Sequence, residues 1–131
     1  MPKTTDNEND KSVRVQQGTV SMAAGSTYQQ VFYTMGGKLT RFDFNIDILG
    51  AGANAQVNGL YLLRGTQKAD HHVSVRHVSP NSFSNQLFKG ILDDESSGNF
   101  SGRIRVEKGA SGTEAYQLNR NMLLSNKAEA N

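Results

Sequence analysis

"AQVNGLYLL", residues 55–63, is the stretch on which the fold turns. Asn-Gly between two apolar runs is the strongest short-range signal for a two-residue β-hairpin. Read that way, the chain doubles back at Asn58-Gly59 and belongs in an antiparallel sandwich. Read as one unbroken strand, the stretch is one side of a coil and belongs in a parallel β-solenoid.

The flanking sequence is β throughout. In "RFDFNIDIL", 41–49, Phe42, Phe44, Ile46 and Ile48 alternate with Arg41, Asp43, Asn45 and Asp47. Period two means one buried and one wet face. "NFSGRIRVE", 99–107, repeats the pattern with Phe100, Gly102, Ile104 and Val106 on one face. Weaker runs lie at 12–16, 30–35, 72–77, 85–92 and 121–125. "GGK", "GAGAN", "RGTQKAD", "SPNSFS", "DDESSG" and "KGASG" connect them with turn chemistry. Even spacing of strand and turn predicts an all-β sandwich, barrel or solenoid. Helix is an alternative only over "TEAYQLNRNMLLSNKAEA", 113–130, where Tyr116, Leu123 and Leu124 give a ragged apolar side. Periodicity alone leaves sandwich and parallel solenoid tied.

Composition narrows the function. The chain has 131 residues, enough for one domain with one thin core. Glycine outnumbers proline 13 to 2, which suits short strands and tight bends. Net charge is +2 without a basic stripe, so nucleic acid is not the expected partner. There is no cysteine, which removes a disulfide framework, a thiolate metal site and a Cys nucleophile from this chain. No run approaches the ~20 apolar residues that span a bilayer. "MPKTTDNENDK", 1–11, has no apolar h-region and reads as a disordered polar leader. A soluble, cytoplasmic protein is the expectation.

The candidate chemistry lies in "ADHHVSVRH", 69–77, which holds all three histidines. On a strand, His71 and His77 share a face with Val73 and Val75, while His72 shares the other with Ser74 and Arg76. His71 and His77 are then about 20 Å apart, too far to clasp one ion. A metal site would need Asp43, Asp47 or Asp70 from neighbouring strands; His72 and His77 are the weak candidates, and wall histidines the plainer reading. Asp93, Asp94 and Glu95 form an acidic run inside a turn signal and read as solvated. "GAGANA", 50–55, is no phosphate loop, and Ser79, Ser82 and Ser84 near His77 lack a nucleophile elbow. The residues thus point to an all-β domain without catalysis. A β-helical carbohydrate-active enzyme of the secreted type and a cupin-like metal-binding protein are the alternatives.

One set of positions resembles a known family. Asp70, His72 and His77 are followed by Ser84, Gln86 and Lys89-Gly90-Ile91. Then come Phe100-x-Gly102-x-Ile104-x-Val106, Thr113-x-Ala115-x-Gln117 and Asn119-x-Asn121-Met122-Leu123-Leu124-Ser125. With the upstream "ILGAGANAQVNGLYLLRGTQKAD", this resembles the SufB/SufD family, scaffold subunits of the Suf iron–sulfur cluster assembly system, and is more SufD-like than SufB-like. The resemblance implies a right-handed parallel β-helix (a single-stranded solenoid) over 12–131, which breaks the tie. It implies structural roles for Asp70, His72, His77, Gln86, Gly90, Phe100, Gly102, Gln117, Asn119 and Asn121, with small residues letting coils pack closely. It implies a fragment of a longer protein, truncated before the family's Cys-x-His strand and C-terminal helical domain. The implied partners are a SufB-like sister subunit and, through that missing region, a SufC-like ABC ATPase; a homodimer through the open end is a further expectation. No cofactor is expected in this fragment, with an iron–sulfur cluster held only by the full complex.

Overall fold

The computed structural model describes residues 12–131; the leader expected over 1–11 lies outside the described residues. Nine strands follow in order: β1 Val13–Met22, β2 Thr27–Met35, β3 Leu39–Ile48, β4 Asn54–Leu63, β5 Lys68–His77, β6 Phe83–Leu92, β7 Ser97–Val106, β8 Glu114–Leu123 and β9 Glu129–Ala130. No helix occurs among the described residues.

Odd-numbered strands form one sheet and even-numbered strands the other, and every pairing is parallel. A chain that alternates between two parallel sheets without crossing back is a solenoid, here of about four coils. Positions 39, 68 and 97 stand in register, a step of 29 residues per coil.

Of the two readings of Asn58-Gly59, the unbroken strand holds and the hairpin is excluded. Both lie inside β4, with Asn58 pairing Val31 and Leu87, and Gly59 pairing Phe32 and Phe88. The glycine answers packing rather than turn geometry: a Cβ there would meet the Phe88 ring at 2.2 Å. The helix alternative over 113–130 fails as well. Gln117, Asn119 and Asn121 recur with period two and align with Gln86, Phe88 and Gly90 of the previous coil.

The bends stack as the strands do. Gly25, Gly52, Asn81 and Gly112 hold left-handed backbone, with φ of 70°, 72°, 60° and 72°. Only glycine, Asn and Asp enter that region readily. Their amides tie successive coils: Gly25 N–H donates to the Ala51 carbonyl at 2.9 Å, and Asn81 N–H to that of Ser111 at 2.9 Å. The bend at 23–26 is absent from the connectors read off the sequence, because a single glycine marks it.

The core runs along the solenoid axis. Aromatic rings from both sheets meet there: Phe88 and Phe100 at 4.4 Å between centroids, Phe32 and Phe42 at 4.9 Å. The central strands β4 and β5 alternate strictly between buried and partly exposed residues over most of their length.

Candidate functional site

Strand β5 sends its histidines to two faces. His71 and His77 point inward with Val73 and Val75, all buried; His72 points outward with Ser74 and Arg76. His72 and His77 therefore lie on opposite sides of one sheet and cannot share an ion.

His71 occupies an aromatic box. Its ring lies 5.1 Å from Tyr61, 5.2 Å from Phe42 and 5.6 Å from Phe88, and its Nε2 is 3.3 Å from the Thr34 hydroxyl. Burial pushes its pKa down to about 4, against the Asn99 backbone carbonyl and the Asp70 charge, which favour the proton. At neutral pH the ring is an uncharged wall residue.

His77 is held at both nitrogens, with the Ser82 hydroxyl 2.7 Å from Nδ1 and that of Ser84 2.8 Å from Nε2. One nitrogen donates and the other accepts, so the ring is neutral, and burial lowers its pKa. The three side chains are almost wholly enclosed, Ser82 at 2% exposure. The serine–histidine contact noted in the sequence is thus internal packing that no substrate reaches.

On the outer face, His72 Nε2 lies 2.8 Å from Asp70 Oδ1, and the Asn99 amide donates to the same oxygen at 2.7 Å. Asp43 and Ser101 flank His72 in register. A shallow pocket of ≈170 Å³ opens beside it, lined by Asp43, Asn45, Ser74 and Arg103 among others. Among the described residues no group of three or more His, Cys, Asp or Glu side chains is placed to hold a metal ion. Asp47, the remaining carboxylate considered for such a site, accepts from Arg76 at 3.1 Å instead.

Of the other residues singled out in the sequence, Gln86, Gly90 and Phe100 are buried, Gly102, Asn119 and Asn121 partly so, and Gln117 is exposed. Gln86 is completely buried, and neither amide atom has a protein partner. Gln117 lies above it in the next coil, where Gly102 leaves room: a Cβ there would meet the Gln117 side chain at 2.5 Å. Gly90 makes room for the Tyr61 ring, whose edge a Cβ would meet at 2.0 Å. The Tyr61 hydroxyl donates toward the side-chain oxygens of Asn121 and, at 3.3 Å, Asn119. Sequence reasoning missed Tyr61 and Thr34 as members of this polar seam. Both stand at inner positions of alternating strands, the only signal available. In the acidic run, Asp94 holds left-handed backbone at φ 55° and accepts from the Gly65 amide at 2.8 Å. It is a turn residue.

Fold and interior together define a parallel β-solenoid protein with a set of polar side chains, among them Thr34, Tyr61, His71 and His77, buried in its core. The comparisons then place it more narrowly. The family model for the SUF system FeS cluster assembly, SufBD core domain, matches residues 3–131. An iron–sulfur cluster assembly SufBD family protein of Synechocystis is 32% identical over 95% of this chain and 28% of its own length. One from Mycobacterium tuberculosis is 26% identical over 92% of this chain and 32% of its own length. Protein ABCI7, chloroplastic, of Arabidopsis thaliana is 32% identical over 95% of this chain and 26% of its own length. No solved structure matches. The chain belongs to the SufBD core domain family, and it spans about a third or less of the length of these curated relatives. No helix among the described residues is long and apolar enough to cross a membrane.

Proposed function

We propose that this chain is the β-solenoid core of a non-catalytic, SufD-like scaffold subunit in cytoplasmic iron–sulfur cluster assembly. The family match over residues 3–131 carries the reading. The interior supports it: His77 is held between Ser82 and Ser84, and His71 is enclosed among aromatic rings beside Thr34, so neither buried histidine meets a substrate. The scaffold pairs with a β-helical, SufB-like sister subunit and with a SufC-like ABC ATPase; the cluster is cargo of that complex rather than a resident cofactor of this segment. A polyuronate lyase or a cupin-type metal enzyme is disfavoured by the outer face, where Asp70 accepts from Asn99 and lies against His72, and Asp47 is engaged by Arg76.

The test is affinity capture from native lysate with the longer polypeptide that carries this core. Recovery of an ABC-type ATPase together with a β-helical sister supports the scaffold reading. Recovery of neither, or robust polyuronate cleavage by the purified protein, would sink it.

A further inference from the structure

The outer face of the odd-numbered sheet is polar, and it is not flat. Two rows cross its middle over β3, β5 and β7: Asp43, His72 and Ser101, then Asn45, Ser74 and Arg103. The neighbouring rows are filled. On one side Asn99 donates to Asp70, and on the other Arg76 donates to Asp47. Ser74 and Ser101 are short among these longer side chains. They leave a hollow of ≈170 Å³, walled by Asp43, Asn45, His72 and Arg103 and open to solvent.

The charges of this hollow are opposite and unspent. Asp43 and Arg103 stand two strands and one row apart, about 12 Å between Cα atoms at ordinary sheet spacings. Both line the hollow, yet among the described residues neither has an ion-pair partner. Arg76 and Arg105 on the same face are tied to Asp47 and Glu107. His72 is held away from Asp43 and Arg103, its Nε2 lying 2.8 Å from Asp70 Oδ1. A free carboxylate and a free guanidinium thus face one small space with hydroxyls at its floor.

We propose that this hollow binds the zwitterion of a free α-amino acid. The ligand carboxylate meets the Arg103 guanidinium, whose fork of N–H donors matches such a group, with the Ser101 hydroxyl beside it. The ligand ammonium meets the Asp43 carboxylate and the Asn45 side-chain oxygen. The ligand side chain points to open water, so the site reads the shared head group and not the residue type. Other ligand classes match only half of the site. A phosphate or sulfate ion would lie against the Asp43 charge. A divalent cation would lie against Arg103 with one free carboxylate to hold it. A sugar would find no aromatic ring in the lining to stack on. The proposal does not rest on the scaffold reading.

An NMR titration of the isotope-labelled 131-residue chain with L-alanine, at fixed pH and ionic strength, tests it. The expected result is saturable shifts of the Asn45, Ser74, Ser101 and Arg103 amide signals. The Kd should be on the order of 1 mM, as a ligand of few atoms in an open hollow gives. Ethylamine and propionate are L-alanine without its carboxylate and without its ammonium. Each should bind about fivefold more weakly, the size of one exposed ion pair. Asp43→Asn should bring L-alanine down to the level of propionate, and Arg103→Gln down to that of ethylamine. The remaining signals should stay in place, because Arg103 is exposed and Asp43 half-buried on an outer face. A merely structural role would not pair each variant with its own analogue. Shifts that never saturate, shifts centred elsewhere on the chain, or either variant binding L-alanine undiminished would overturn the proposal. So would propionate binding as tightly as L-alanine, which would make the hollow a simple anion site.

Discussion

His71 stands in an aromatic column. Phe42 precedes it and Phe100 follows it in register. A histidine there costs the fold proton affinity. Its pKa falls from the ordinary 6.5 to about 4, so the unfolded chain binds the proton first as pH drops. Stability from the neutral ring is complete above pH ~6.5 and is lost as pH falls toward the folded value. Burial shifts His77 in the same direction and adds to the loss. Over that window one such histidine is worth about 3 kcal/mol. His71→Phe continues the aromatic column and removes the titration, while the Thr34 hydroxyl loses a partner worth about 1 kcal/mol. Denaturant midpoints at pH 7.5 and pH 4.5 should therefore show the variant close to wild type at the higher pH and clearly more stable than wild type at the lower. Equal losses in both proteins would show that the His71 proton does not govern acid stability. The sequence revealed which histidines face inward, because Val73 and Val75 share their parity. It could not reveal what they touch: Tyr61, Phe88 and Thr34 come from the opposite sheet and neighbouring coils, and alternation encodes no such partner.

At the scale of elements, three glycines separate packing from turn geometry. Gly59 and Gly90 sit mid-strand against the rings of Phe88 and Tyr61, which are fully buried and cannot swing aside. Gly102 faces the end of the Gln117 side chain, which is exposed and free to move. Gly59→Ala and Gly90→Ala should each destabilise the chain by roughly 2–3 kcal/mol, the usual cost of overpacking. Gly102→Ala should cost under ~1 kcal/mol, since alanine also restricts the unfolded chain. Thermal melts of the three variants decide it, and three equal shifts would mean that the rings do not set these positions. The same contrast explains the false hairpin signal at Asn58-Gly59. Asn-Gly is a turn signal when nothing competes for the glycine. Here a ring from the next coil, 29 residues on, does compete, since Gly59 and Phe88 stand in register. Strand existence was legible from period two almost everywhere. The coil repeat was present too, in the left-handed bends at 52, 81 and 112. Asparagine stands in for glycine at 81, and the steps are 29 and 31 residues, so no strict identity period marks the coil.

The whole molecule is close to one-dimensional: each strand pairs only with the strands one coil before and one coil after. Stability in such a stack is a sum of coil and nearest-neighbour terms, so coils lacking a neighbour on one side are weakest. Burial follows that rule. Met22 is the one fully buried residue of β1, and β8 has none, whereas β4 and β5 bury every second residue. Architecture at this scale could not be derived from alternation, which a sandwich satisfies as well; the family-like positions from Asp70 to Ser125 broke the tie. Amide hydrogen exchange should accordingly be graded along the axis. Protection is expected to be highest in β4, β5 and β6 and to fall toward β1 and β8, with local opening at the ends costing less than global unfolding. Uniform protection from β1 to β8 at low micromolar concentration would mean that the coils open together, and the additive picture of this solenoid would fail.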